Sequence, residues 1–181
     1  MTGLVNLYGG PGSGKSTVAS FLFSWLRMHG VEAELVGEAA KEFVHDRAFD
    51  AMKNQVLIAG LQWQRISRLI GSGCGVAISD SPIILGAMYS ESLPYHAELL
   101  ALLRKLDSLA APAYNVFIRR TWPYVATGRT QKTEEEARAF DAKAKALAGY
   151  VDAEISNTPA DVQYLAEMLL SKAFEWKGSN G

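Results

Sequence analysis

Apolar positions along this chain recur with two different periods, and the alternation between them sets out the elements. Leu4 to Tyr8 reads as a short buried strand, and Val18 to Met28 carries apolar residues at helical spacing, ending near His29-Gly30. Glu32 to Val36 reads as a second strand and Ala39 to Arg47 as a helix. A long pattern over Asp50 to Ile70 sets Met52, Val56, Leu57, Leu61, Ile66, Leu69 and Ile70 on one broad side, which predicts a single helix crossing a sheet. Gly75 to Asp80 is a third strand, uncharged until its final acid. Pro94 to Leu109 is an amphipathic helix, and Tyr114 to Ile118 a fourth strand rich in β-branched and aromatic residues. Thr133-Glu134-Glu135-Glu136 opens another helix with a hydroxyl cap and acids in its first turn. A short, weak fifth strand falls in Asp152 to Asn157, and the last helix runs from Ala160 to about Trp176. Strands alternating with helices predict an α/β protein: a five-stranded parallel sheet with helices on both faces.

The junction of the first strand and first helix carries the strongest chemical signal. Gly9, Gly10, Pro11, Gly12, Ser13, Gly14, Lys15, Ser16 and Thr17 read G-x-x-x-x-G-K-[ST]. Consecutive backbone N–H groups can wrap a triphosphate only where side chains leave room, and the glycines supply that room. Lys15 is then placed against the β- and γ-phosphates, and the Ser16 hydroxyl is placed to ligate Mg²⁺. The following helix turns its positive end toward the anion. A turn that binds nothing has no use for a lysine followed by a hydroxyl. The expected cofactors are ATP and Mg²⁺.

Two acids stand at strand ends, where an open parallel sheet binds its ligands. Glu38 follows the second strand and is either a residue of the reaction crevice or an N-terminal acid of the next helix. Asp80 ends the third strand and is the expected metal partner of Ser16. The residues after it are Ser81 and Pro82 rather than a glutamate, which speaks against an ATPase that polarises water with an adjacent acid. Gln62, Trp63, Gln64 and Arg65 interrupt the long helical pattern. An amide and an aromatic there are placed to read a ring, or else Trp63 is core and Gln62 is solvated. Arg119, Arg120, Arg129 and Lys132 share a segment broken by Pro123 and Gly128. This reads as a mobile arginine-bearing lid over about 119–133, or as a basic loop paired with its own acids. Lid arginines can neutralise a transferring phosphoryl group, an effect worth about 10³ to 10⁵ in rate.

Composition narrows the picture further. At 181 residues the chain predicts one domain over 1–177 and a flexible tail at 178–181, and its net charge of −1 gives no global argument for nucleic acid or membrane, so any basic site must be local. A single cysteine, Cys74, excludes an internal disulfide and suits a reducing cytoplasm. No run approaches the roughly twenty apolar residues of a membrane span, so a soluble, cytoplasmic protein is expected. The apolar side of the Pro94 to Leu109 helix serves either the core or a homodimer face.

Gly9 to Thr17, Glu38, Asp80 and the Arg119 to Arg129 lid together resemble the P-loop kinases of nucleosides and nucleoside monophosphates, over nearly the whole chain. That resemblance implies the three-layer P-loop NTPase fold and transfer from MgATP to an alcohol, with Glu38 as general base. An acid in its place is similar to the base of deoxynucleoside kinases and polynucleotide 5′-kinases. Glu38-Ala39-Ala40-Lys41-Glu42 resembles the helix start of the ribosylnicotinamide kinase domain. Gly128-Arg129-Thr130-Gln131 is similar to the lid of small phage-encoded kinases, some of which phosphorylate the hydroxymethyl group of a modified uracil in DNA. The implied partner is therefore a nucleoside- or nucleotide-like substrate or a modified base in DNA. Deoxynucleoside kinases usually carry an arginine where this chain has Ser81, so either Arg47 or Arg65 enters the acceptor site or the acceptor differs. A nucleotide-dependent switch is the third alternative, but the chain lacks the Asn-Lys-x-Asp and Leu-Ser-Gly-Gly-Gln motifs of two such groups.

Overall fold

In the computed structural model, residues 2–110, 112–125 and 133–178 are described. Five parallel strands form one sheet in the order β2-β3-β1-β4-β5: β1 Gly3–Tyr8, β2 Ala33–Val36, β3 Val76–Ser79, β4 Ala113–Arg119 and β5 Ala153–Ser156. The helices are α1 Lys15–Met28, α2 Ala39–His45, α3 Phe49–Met52, α4 Gln55–Ser72, α5 His96–Leu109, α6 Glu134–Ala148 and α7 Pro159–Gly178, with a 3-10 helix over Ile83–Tyr89. This is the α/β P-loop NTPase kinase fold. Gly178, expected in a loose tail, ends α7; the rest of that expected tail lies outside the described residues.

The two-residue period of β1 divides the core. Val5 and Leu7 face α1 and α7, where Leu22, Leu26, Leu165 and Leu169 are fully buried. Leu4 and Tyr8 face the other layer, built from α4, α5, α6 and the 3-10 helix through Ile66, Ile84, Leu103 and Ala144. Each buried leucine contributes about 1.5–3 kcal/mol by leaving water. β1 is buried along its whole length because it is central. β2 and β5 lie at the edges, and this explains the polar Glu34 and Glu154 that make them weak as sequence patterns.

One expectation needs correction. The single helix over Asp50 to Ile70 is interrupted, because Asn54 caps α4 by accepting a hydrogen bond from Leu57 N at 3.1 Å, leaving α3 as a separate turn. The stretch after Ser81-Pro82, which the patterning left unassigned, is a buried 3-10 helix. Helix α5 begins at His96, and its Leu99 and Leu103 are core whereas Leu102 and Leu109 are exposed. Among the described residues, no helix is long and apolar enough to cross a membrane.

Because all five strands are parallel, their carboxyl ends share one edge. The register aligns Asn6, Val36 and Ser79, so the glycine-rich loop, Glu38 and Asp80 emerge side by side.

Candidate active site

The glycine-rich loop leads from β1 into α1. Gly14 has φ +98°, and a Cβ there would strike the Asn157 side chain. Gly10 admits a different neighbour: its N–H donates to Asp141 Oδ1 at 2.7 Å, and a Cβ would stand 2.5 Å from the same oxygen. Lys15 is folded back on the loop, donating to Gly9 O at 2.7 Å and Gly10 O at 2.9 Å. Burial lowers its ammonium to about 8, although the negative charges of Glu38, Asp80 and Asp141 oppose that shift.

Across the loop, Ser16 Oγ donates to Asp80 Oδ2 at 2.5 Å. Asp80 Oδ1 is buried and has no hydrogen-bond partner among the described residues. A hydroxyl and a carboxylate with one unsatisfied oxygen form an all-oxygen donor pair that fits Mg²⁺. No group of three or more His, Cys, Asp or Glu side chains among the described residues could hold a metal alone. This fits an ion completed by nucleotide phosphates and water.

Glu38 occupies the N-cap of α2, but its carboxylate caps nothing. It is one-third exposed and lies 3.5 Å from Lys41 Nζ. Lys41 in turn donates to Ser16 Oγ and to Asp80 Oδ2, each at 2.9 Å. Sequence reasoning quoted Lys41 without giving it a part, and no spacing rule marks it. Gln62 is buried, where its Oε1 accepts from Ala39 N at 2.9 Å and its Nε2 donates to Ser81 O at 3.0 Å. One amide thus ties the start of α2 to the end of β3. Trp63 packs, partly buried, against the core under α4. Arg65 donates to Gly37 O at 3.0 Å and pairs with Glu42 at 2.6 Å, bracing the turn that carries Glu38. Arg47 is exposed beyond α2 and does not line the cavity.

The expected lid arginines divide. Arg120 has a side chain only 3% exposed, making a two-pronged pair with Asp141 (Nε to Oδ2 2.9 Å, Nη2 to Oδ1 3.1 Å). Its Nη2 also donates to Pro11 O at 2.8 Å, and the guanidinium lies over the Tyr124 ring. Asp141, which no sequence pattern singled out, thereby joins α6 to both Arg120 and the phosphate loop. Arg119 is exposed at the end of β4, donating to Ser156 Oγ at 3.2 Å. Arg129 and Lys132 lie outside the described residues. Thr133 caps α6 as its sequence implies, accepting from Glu136 N at 3.1 Å. Asn157, beyond β5, packs on Gly14 and hydrogen-bonds the Thr121 hydroxyl. Cys74 is half-buried, and burial pushes its thiol up, as for a structural cysteine.

A cavity of about 670 Å³ joins these parts. One end is Gly9, Pro11, Gly12 and Gly14 to Thr17; Glu38, Lys41 and Asp80 lie between; the other end is walled by Val44, Met52, Ile58, Leu85, Met88 and Tyr89, with His45 and Gln55 as polar groups. Burial and the neighbouring Glu38 charge push the Tyr89 phenol up to about 12, so it enters this space as a neutral hydroxyl.

Three comparisons bear on this geometry. No curated protein matches the sequence. Among solved structures, the fold resembles a NadR protein in complex with NAD and AMP-PNP (TM-score 0.65, 19% identity, 98% of this chain and 50% of that one). It also resembles a NadR protein in complex with NR (TM-score 0.63, 20% identity, 88% of this chain and 45% of that one). Shikimate kinase from Aquifex aeolicus is similar at TM-score 0.50 and 19% identity, over 98% of this chain and 99% of that one. The chain spans about half the length of the NadR chains it matches. The family pattern described as an AAA domain matches residues 4–163, from the first strand into the last helix. By its glycine-rich loop, its acid-ended third strand and that match, the chain belongs to this AAA domain family of P-loop proteins.

Proposed function

We propose that the chain is an ATP-dependent kinase that moves the γ-phosphoryl group of MgATP to a hydroxyl of a nucleoside- or nucleotide-like acceptor. The observation that carries this reading is the single cavity that runs from the phosphate loop, past Glu38, into an apolar end large enough for a ring compound. The fold's likeness to NadR proteins and shikimate kinase supports a phosphotransferase.

In this reading the loop amides and Lys15 hold the β- and γ-phosphates. Lys15 must leave the Gly9 and Gly10 carbonyls to reach them, and the anion supplies the charge its buried ammonium lacks. Ser16 and Asp80 would hold Mg²⁺, which would supply positive charge against the phosphate oxygens. Glu38 accepts the acceptor's hydroxyl proton as that oxygen bonds to the γ-phosphorus and the bond to the β-phosphate oxygen breaks, releasing ADP. Arg129, with Arg119, disperses the charge of the transferring group from the lid. Arg120 serves differently, by fixing the loop through Pro11 O and Asp141. Most of the acceleration then comes from positioning and electrostatics.

The test is transfer from γ-labelled MgATP to two acceptor pools, one of free nucleosides and nucleotides and one of plain and hydroxymethylated DNA. Label on a free compound supports the proposal. Label only on modified DNA moves the reading to a polynucleotide kinase, for which activity should fall steeply with salt. Label appearing only as free phosphate would leave a nucleotide-dependent switch.

A further inference from the structure

The three oxygens that the proposed chemistry needs are already gathered around one ammonium group. Lys41 Nζ lies 2.9 Å from Ser16 Oγ, 2.9 Å from Asp80 Oδ2 and 3.5 Å from Glu38 Oε2. These belong to three separate stretches of chain: the start of α1, the end of β3 and the turn before α2. Lys41 is the cation that joins them, since Lys15 donates to the Gly9 and Gly10 carbonyls and Arg65 to Gly37 and Glu42. A magnesium ion bound by Ser16 Oγ sits about 2.0–2.1 Å from its ligand oxygens and demands near-octahedral geometry. Such an ion and an ammonium cannot share Ser16 Oγ beside one Asp80 carboxylate, both for lack of space and because the two charges repel, whichever Asp80 oxygen the ion takes. Lys41 can leave: its side chain is 47% exposed and its stem is flexible.

We propose that Lys41 is a positioning residue that stands in for the metal, holding Asp80, Ser16 and Glu38 together before nucleotide arrives and exchanging places with Mg²⁺ when MgATP binds. The inference rests on the reading of Ser16 and Asp80 as the metal pair. It makes two demands. Free divalent cation should bind the nucleotide-free protein poorly, because Lys41 competes for its ligands. The acidic cluster should also be less stable without Lys41, because its carboxylates then lose the ammonium that bonds Asp80 and pairs with Glu38.

The experiment uses the full chain and the variant Lys41→Met, which keeps most of the stem and removes the charge. Mn²⁺ binding without nucleotide is followed by electron paramagnetic resonance, and thermal unfolding is followed in EDTA and in Mg²⁺. Losing two charge-assisted hydrogen bonds that compete with the ion should tighten Mn²⁺ binding about tenfold or more in the variant. Its unfolding temperature should fall in EDTA and recover more than that of the wild type in Mg²⁺. Mn²⁺ binding that is equal or weaker in Lys41→Met overturns the proposal. A second measurement needs no variant. Amine acylation of wild-type Lys41, read by mass spectrometry, should accelerate on adding MgADP, which has no γ-phosphate to re-engage the ammonium; an unchanged rate overturns the exchange. Asp80→Asn is the control for the underlying assignment. Unweakened binding of MnADP to that variant would remove the metal pair and the proposal with it, whereas weakened MnADP binding beside an unaltered Lys41→Met failure would remove the exchange alone.

Discussion

Asp141→Ala is the most informative single perturbation of the phosphate loop, because one carboxylate there serves three donors. Its oxygens accept from Gly10 N, from Arg120 Nε and from Arg120 Nη2, and the guanidinium is nearly inaccessible to water. Removing the carboxylate leaves a buried cation with Pro11 O and the Tyr124 ring as its remaining contacts among the described residues. Breaking one side of a buried ion pair costs about 3–5 kcal/mol. The orphaned Gly10 N–H would cost about 1–3 kcal/mol by itself, but it shares an acceptor with Arg120, so the terms do not add. We expect a net loss of about 3–5 kcal/mol, which for a chain of this size lowers the melting temperature by about 5–20 °C. Because Gly10 and Pro11 are parts of the phosphate cradle, turnover should also fall, by roughly 10- to 100-fold for a displacement near 1 Å. The assays are calorimetric unfolding and, below the new transition, transfer kinetics. The double variant Arg120→Met/Asp141→Leu removes both charges and should unfold at a higher temperature than Asp141→Ala. If the double variant were no more stable than the single, or if Asp141→Ala melted within 2 °C or so of wild type, the clamp would not be what holds the loop.

Three further outcomes follow from the same geometry. Lys15 is held near 8 in the nucleotide-free loop, and bound phosphates would raise it. ATP affinity should therefore be constant below about pH 8 and fall by up to about tenfold per pH unit above it, as binding takes up a proton; a flat titration from pH 7 to 9.5 would contradict the desolvated lysine. Glu38→Gln should leave ATP affinity within about threefold while removing two or more orders of magnitude of transfer, checked by equilibrium binding beside initial rates, and unaltered turnover would remove the base assignment. Gln62→Leu should destabilise by about 1–3 kcal/mol, since Ala39 N loses its acceptor in a buried place, and denaturant unfolding with an unmoved midpoint would show that the bridge carries no weight.

What the sequence made legible, and what it hid, follows from the range of the interactions. The phosphate loop, the Thr133 cap and the strand-end acids depend on neighbours a few residues away, and their residue types declare them. The edge strand β5 was faint because one of its faces is solvated. The break at Asn54 was written as a capping residue inside an otherwise continuous apolar stripe, and periodicity alone ran through it. Ile83–Tyr89 stayed unassigned because a short 3-10 helix buried on most sides has no polar face to set a period. Asp141, the part played by Lys41, and the buried bridge made by Gln62, which its pattern marks instead as a ring reader or a solvated amide, are hidden for another reason. Their partners lie 131, 39 and 23 residues away, and only the parallel sheet and its crossovers bring them together. Arg120 shows the converse: its place beside the expected lid suggests a mobile finger, whereas burial against Asp141 makes it a brace of the glycine-rich loop.

The two ends of the cavity come from different parts of the chain. The phosphate-loop end belongs to residues 9–17 and Asp80, whereas the far, mostly apolar wall is drawn from α2, α3, α4 and the 3-10 helix. Gln62 fastens the two together through backbone groups at Ala39 and Ser81, and Arg65 adds a bond to Gly37 O and an ion pair with Glu42; none of these partners is among the apolar side chains of the far wall. On the proposed kinase reading, substitutions at Val44, Met52 or Ile58 should alter which acceptor is taken while ATP binding is kept. On that reading, acceptor choice is written in a wall between residues 44 and 89, apart from the loop that holds the nucleotide, and can be redrawn there without touching that loop.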